Sequence, residues 1–147
     1  MTGSAYPVPA SDAVSERMRR NPSADTRLEV TVRSALHRAG FRFRKSLAVK
    51  AGDIRVRPDI VFPRARLAIF LDGCFWHACP QHGTSPRHNS AYWSEKLARN
   101  AARDRRVNRA LTTHGWTVLR FWEHDPVDVV LDEVASAYAR KRLLVAP

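Results

Sequence analysis

Apolar positions in the first half of the chain repeat with the spacing of one helix and then of several strands. Between about Asp25 and Gly40 they recur every three or four residues, which predicts a helix that Asp25 caps and Gly40 ends. Three strands are then predicted, with a turn at 51–53 after the first and Pro58 interrupting the second: 41–44, 56–62 and 67–71.

The second half begins with a segment, 73–89, that has the Cys, His, Pro, Gly and Ser content of a loop. A long helix is predicted over 91–113, with apolar residues on one face, arginines on the other and Gly115 after its end. A fourth strand, 116–122, and a last helix starting at Asp125 and Pro126 follow. This order predicts an α/β fold with a mixed sheet and helices on both faces.

The chain has 147 residues, which suits one domain. We expect a flexible basic arm at 1–22, a folded domain at 23–142 and a tail at 143–147. The formal charge of +11 indicates an anionic partner, most commonly nucleic acid and next an anionic membrane surface. No stretch is apolar enough for a transmembrane helix or a signal peptide, so a cytoplasmic protein without a membrane partner is expected.

Cysteine and histidine residues suggest a structural zinc site. The only two cysteines, Cys74 and Cys79, are followed by His82 and, far along the chain, by His124. Zinc takes four tetrahedral nitrogen or sulfur ligands, and a loop poor in apolar residues gains from such a metal link. The spacing is not that of a standard zinc finger. The alternative is two buried cysteines and two surface histidines.

Acidic side chains stand at the ends of the predicted strands. Asp59 lies within an apolar strand, and Asp72 ends the next one. If these strands pair, both carboxylates reach one end of the sheet, where they repel each other unless a cation such as Mg²⁺ lies between them. Glu29 lies in the apolar stripe of the first helix, where it needs a partner. The alternative is that Asp59 caps a turn and Glu29 forms a salt bridge at the rim.

One histidine and several aromatic residues are further candidates. His77 could take a proton from an attacking water at neutral pH, with Asp104 holding its other ring nitrogen; otherwise it is one more histidine of the loop. Phe75, Trp76 and Trp93 could wedge between base pairs, although packing in the core is the usual role of such residues. The basic face of the long helix could contact phosphates or could simply be solvated.

Several motifs together resemble those of one nuclease family. They are DTRLE at 25–29, RPDIVF at 57–62, FLDGCFWHACPQHG at 70–83, YWSEKLARN at 92–100, RDR at 103–105 and GWTVLRFWEH at 115–124. The chain resembles the very-short-patch (Vsr-type) DNA mismatch repair endonucleases over about residues 15–142. The run Gly-Cys-Phe-Trp-His with a downstream Trp-Glu-His is a specific signature.

The resemblance implies a restriction-endonuclease-like fold, a structural zinc and Mg²⁺-dependent nicking next to a T·G mismatch. In the implied metal site, Asp59 is the central Mg²⁺ ligand and the main-chain carbonyl of Leu71 completes the site. Glu29 holds a metal-bound water, and His77 is the catalytic histidine with Asp104 as its partner. The implied catalytic residues are Asp59, His77, Glu29, Asp104 and Asp72. The implied zinc ligands are Cys74, Cys79, His82 and His124. The resemblance also implies that Phe75, Trp76 and Trp93 wedge beside the mismatch. On the long helix, Lys96, Asn100, Arg103 and Arg106 are the further expected DNA-binding residues.

Two departures from the family pattern matter. Some members carry His where this chain has Asp72, which leaves a direct metal role for Asp72 open. The loop also lacks the His run of other members, and this difference bears most on the assignment of His82 as a zinc ligand. We expect a monomer acting on double-stranded DNA, with mismatch-repair proteins as further candidate partners. Two alternatives stay open: a restriction-type or defence nuclease with another site rule, and a non-catalytic zinc-stapled DNA-binding module.

Overall fold

The structure, a computed structural model, describes residues 27–73 and 90–145. Its helices and strands form a mixed sheet flanked by helices, which confirms the predicted α/β class. The helices are α1 (Arg27–Arg38), α2 (Ser90–Thr113) and α3 (Val127–Val145). The strands are β1 (Arg44–Lys45), β2 (Val49–Ala51), β3 (Ile54–Val56), β4 (Ile60–Phe62), β5 (Leu67–Asp72) and β6 (Thr117–Trp122).

The main sheet has the strand order β1-β4-β5-β6. Strand β4 runs antiparallel to β5, with Ile60 opposite Ile69, and a short turn suffices to join them. Strands β5 and β6 are parallel, with Asp72 opposite Trp122, because the intervening chain crosses back through α2. The start of β4 and the ends of β5 and β6 therefore lie at the same end of the sheet.

Side chains alternate along β5, so the strand serves two cores. Leu67 and Ile69 are fully buried in the core that α1 and α3 cover, together with Val130 and Val134. Ala68 and Phe70 face the other core, where Val107 and Leu111 of α2 pack. An all-apolar strand buried on both faces explains why 67–71 was readable as a strand without alternation.

Two glycines end helices by the same hydrogen-bond pattern. After α1, Phe41 N–H donates to the carbonyl of Leu36 and Gly40 N–H to that of His37, with Gly40 at φ +94°. After α2, Trp116 N–H donates to Leu111 and Gly115 has φ +86°. This left-handed helix end favours glycine, so both predicted helix ends have a direct physical cause.

The strand predictions before β5 were partly wrong. Of the predicted strand 41–44 only Arg44 pairs, together with Lys45, at the sheet edge. The stretch 56–62 is split because Pro58 has no N–H to donate, so β3 and β4 belong to different sheets. The hairpin β2–β3, which turns at Gly52 with φ +64°, was not predicted.

The described residues include part of the expected C-terminal tail but none of the predicted N-terminal arm. Helix α3 continues to Val145, into the stretch expected to be a tail, whereas the predicted arm at 1–22 lies outside the described residues. Within 27–73 and 90–145, no helix combines the length and apolar character needed to cross a bilayer.

Candidate active site

The candidate site lies where β4 begins and where β5 and β6 end. Asp59 directly precedes β4, and Asp72 is the last residue of β5. The antiparallel pairing of these strands brings both acids to the same sheet end. The N–H of Glu123 donates to the carbonyl of Asp72, so the end of β6 is held beside them. Carboxyl ends of parallel strands are a common place for ligand sites in α/β sheets.

Asp59 is held by a main-chain hydrogen bond from the neighbouring strand. The N–H of Leu71 donates to its Oδ2 at 2.7 Å. The pKa of Asp59 is raised from its ordinary 3.8 to about 6, mainly by burial and in addition by the negative charges of Glu29 and Asp72. The hydrogen bond from Leu71 N–H and the charge of Arg33 act in the opposite direction and lower this pKa. A carboxylate placed among other carboxylates in this way is suited to receiving a cation.

Glu29 reaches this sheet end from the first turn of α1. Its side chain is buried, and Arg33, one turn later on the same helix, contacts its Oε2 at 3.5 Å. The pair explains how an acid can lie in the apolar stripe of a helix. Glu29 is thus ion-paired, as the simpler alternative for this residue expected, yet it is also close enough to raise the pKa of Asp59.

Asp72 is buried and faces an arginine from the paired strand β6. Arg120 Nη1 lies 3.2 Å from both carboxylate oxygens of Asp72. The same guanidinium donates through Nε to Asn108 at 2.7 Å and stacks over the Phe70 ring at 4.1 Å. Asp104 of α2 lies 3.7 Å from Nη1. These contacts join strands β5 and β6 to helix α2 through one side chain.

Arg120 and Arg33 were not among the residues selected from the sequence. The available signal for Arg120 was its position as a lone cation in the apolar strand 116–122, next to a strand that ends on an acid. A half-buried arginine needs an acidic partner. Asp104, which was expected to hold His77, is placed by the structure beside Arg120, within reach of the same sheet end.

The chemistry of these acids fits a hard divalent cation. Within the described ranges, no three side chains of His, Cys, Asp or Glu are grouped as a complete metal site. Glu29 and Asp72 each have an arginine close by. Mg²⁺ needs only one or two carboxylates when phosphate oxygens supply other ligands, so this arrangement suits it better than it suits an all-protein cage.

Helix α2 presents the predicted DNA-binding residues in two ways. Arg103 and Arg106 are exposed, as a phosphate-binding face requires, and Asn100 is half-buried. Trp93 is only 7% exposed, and Lys96 Nζ lies 5.5 Å from the centre of its ring. In this conformation Trp93 packs into the protein, and wedging against DNA would require its ring to move.

Several predicted site residues lie outside the described ranges: Cys74, Phe75, Trp76, His77, Cys79 and His82. Of the four candidate zinc ligands only His124 is described. It lies two residues after the end of β6, and its Nε2 is 3.9 Å from Asp125 Oδ1. The prediction of a zinc site therefore stays a prediction.

Comparisons with known proteins agree with the motifs. A family model described as "DNA mismatch endonuclease Vsr" matches residues 10–82. The chain is similar to the type II nicking enzyme V.NaeI of Lentzea aerocolonigenes, with 48% identity over 132 residues, which is 89% of this chain and 78% of that protein. It is 39% identical over 132 residues to the type II nicking enzyme V.XorIIP of Xanthomonas oryzae pv. oryzae, covering 88% of this chain and 90% of that protein.

A third relative is the DNA mismatch endonuclease Vsr of Escherichia coli, with 37% identity over 111 residues, which is 74% of this chain and 68% of that protein. With an acidic sheet end in an α/β fold and relatives of this kind, the chain is a DNA endonuclease, as predicted. It belongs to the Vsr family.

Proposed function

We propose that this endonuclease nicks one strand of double-stranded DNA next to a T·G mismatch and needs Mg²⁺ to do so. The observation that carries the proposal is Asp59. It is a half-buried carboxylate with a pKa raised to about 6, held at a sheet end near two further acids. Asp59 and the two neighbouring acids concentrate carboxylates at one place. A surface that only binds DNA would not carry them there, because carboxylates repel phosphates.

Asp59 would hold the cation, with the main-chain carbonyl of Leu71 as a second ligand. When bound, Mg²⁺ stabilises charge on the phosphodiester and makes water more nucleophilic. Leu71 N–H fixes the orientation of the Asp59 carboxylate by its bond to Oδ2. Glu29, kept in place by Arg33, would orient the attacking water. His77 would take the proton of that water, with Asp104 positioning its ring.

Selection of the mismatch would come from the energetics of opening a base step. Separating stacked bases costs a few kcal/mol, and less where pairing is already faulty. Phe75 and Trp76, a few residues along the chain from Asp72, would wedge into the step, and the exposed Arg103 and Arg106 would hold the backbone phosphates. A mismatch would thus be favoured before any base edge is read.

The fold assignment and the zinc site are parts of the same proposal. We infer a restriction-endonuclease-like variant of the mixed sheet, with Cys74, Cys79, His82 and His124 as ligands of a structural zinc. In support, His124 directly follows Glu123, whose N–H donates to the carbonyl of Asp72 at the end of β5. From that strand end the chain continues toward Cys74. Metal analysis of the purified protein is the check, with one zinc per chain expected.

A second candidate function is nicking at a site defined by another rule than the T·G mismatch. It is favoured by the printed names of V.NaeI and V.XorIIP, which describe type II nicking enzymes and do not mention a mismatch. Both functions share the same chemistry at Asp59 and differ only in which DNA is held there.

The metal requirement can be tested on a duplex that carries one T·G pair and a different label on each strand. With Mg²⁺ we expect one strand to be cut and the other to remain intact, because one acidic site serves one phosphate. Without added divalent cation, and without a chelator that could remove zinc, we expect no cutting. Equal cutting in both buffers would contradict the proposed role of Mg²⁺.

A further inference from the structure

A basic groove lies at the end of the sheet away from Asp59. It has a volume of about 890 Å³ and runs between the end of β4, the segment before β1 and the last turns of α3. Its lining residues are Arg42, Phe43, Arg44, Phe62, Pro63, Arg64, Ala65, Tyr138, Lys141 and Arg142. Five of these ten are cations and none is an acid.

The groove cations are not neutralised within the part of the chain that the structure describes. Arg44, Arg64 and Arg142 are exposed, and no carboxylate of residues 27–73 or 90–145 pairs with them. Arg42 is oriented by contacts with main-chain oxygens, and Lys141 Nζ donates to the carbonyl of Gly115 at 3.3 Å.

A structural purpose accounts for only part of this set. Cations near the end of a helix offset its dipole, which applies to Lys141 and Arg142 in α3. Charged residues on an edge strand also prevent unwanted pairing, which applies to Arg44. Neither reason covers Arg64, and neither explains why cations from three separate segments meet around one groove without an acid. Such a cluster is typical of a surface that binds repeated negative charges.

Strand β1 connects the groove to the candidate active site. Lys45 lies opposite Ile60, the residue after Asp59, and Arg44 lies opposite Val61, one residue nearer the groove. Arg42 and Arg44 are exposed, whereas Phe41 and Phe43, which alternate with them along the chain, are partly buried against the core. Lys45, Arg44 and Arg42 thus form a row of cations along the edge strand β1 and the segment before it, from the acidic sheet end to the basic groove.

We propose that this groove binds the phosphate backbone of the duplex at a distance from the cleaved bond. A duplex seated at Asp59 would continue along the β1 edge and place further phosphates against Arg64 and Arg142. The inference rests on the proposed function only in that the duplex is seated at the sheet end that contains Asp59. The groove lengthens the bound stretch of DNA and adds affinity that does not depend on sequence.

The test is binding of an uncleaved duplex of about 40 base pairs, centred on one T·G pair, without Mg²⁺. At one charge per roughly 1.7 Å of helix axis, this duplex extends well past the sheet end on both sides. The variant is Arg64→Glu with Arg142→Glu. We expect about tenfold weaker binding and a slope of log affinity against log salt that is smaller by about two.

The matched control is Arg55→Glu with Arg140→Glu, which changes the net charge equally at two exposed sites outside the groove. We expect this control to bind the same duplex more tightly than the groove variant does and to keep the parent's salt slope. Equal losses in both variants, or an unchanged salt slope in the groove variant, would contradict the proposal that the groove binds DNA. Because no cleavage is measured, the result is readable even if T·G nicking fails.

Discussion

Asp59→Asn should lower the nicking rate by roughly 10³-fold or more, because a cation that contributes several kcal/mol to the transition state loses its main protein ligand. DNA affinity should stay within about threefold of the parent, since Arg and Lys contacts to phosphates dominate it. The amide oxygen of Asn can still accept the hydrogen bond from Leu71 N–H, so the local backbone keeps its partner.

The same substitution should make the Mg²⁺-free protein more stable at pH 7. The folded-state pKa of Asp59 is raised from 3.8 to about 6, so the folded protein holds this proton more tightly than the unfolded chain does. The wild type therefore loses stability as pH rises through this range, and at pH 7 the ionised group costs roughly 1–3 kcal/mol after allowance for partial solvent exposure. The neutral Asn escapes that cost, and its advantage should disappear below about pH 4.

Urea unfolding of both proteins across this pH range measures the difference, and single-turnover nicking measures the rate. A variant that is inactive and also more stable cannot owe its inactivity to unfolding. Retention of a near-parental rate with Mg²⁺ would remove Asp59 from the role of metal ligand. A variant less stable than the parent at pH 7 would show that the Asp59 carboxylate is not electrostatically strained.

Arg120→Met should cost roughly 2–4 kcal/mol of folding free energy. The substitution keeps much of the side-chain volume but removes the cation that lies 3.2 Å from both oxygens of Asp72, which is only 6% exposed. A buried charge deprived of its opposite charge is strongly destabilising, in the range of about 3–5 kcal/mol for fully buried pairs. Because the Arg120 side chain is partly exposed, its removal should cost less folding free energy than breaking a fully buried pair. Denaturant unfolding with an unchanged slope gives the value directly.

The double variant Arg120→Met with Asp72→Asn tests the reason for that loss. Removing the charge of Asp72 should restore at least about half of the lost stability, because the penalty arises from the isolated carboxylate. Arg109→Met, an exposed arginine on α2, is the matched control and should change stability by less than about 0.5 kcal/mol. No recovery in the double variant would mean that Arg120 acts mainly through Phe70 and Asn108.

Elements with a strong local cause could be predicted from the sequence. The ends of α1 and α2 were readable because Gly40 and Gly115 adopt backbone angles that other residues avoid. Strand β5 was readable because both of its faces are buried. The meeting of Asp59 and Asp72 followed from one condition, the pairing of β4 with β5, and the structure meets that condition.

The rest depends on contacts between distant segments, which a periodic pattern does not encode. The hairpin β2–β3 is short, and its second strand overlaps the longer stretch 56–62, which was predicted as one strand. Arg120 meets Asp72 across 48 positions of sequence, and only the parallel pairing of β5 with β6 makes them neighbours. The basic groove likewise gathers cations from three segments, each unremarkable alone in a chain of net charge +11.

We propose that this Vsr-family endonuclease nicks beside a T·G mismatch through the acidic sheet end. The most direct measurement compares two duplexes that differ only in one pair, T·G or C·G, with Mg²⁺, moderate salt and limiting protein. We expect single-strand nicking of the T·G duplex to be at least about tenfold faster than that of the C·G duplex, because faulty pairing lowers the free energy of opening the step by on the order of 1–2 kcal/mol. Equal nicking of both duplexes would contradict mismatch selection and favour a nicking enzyme with another site rule.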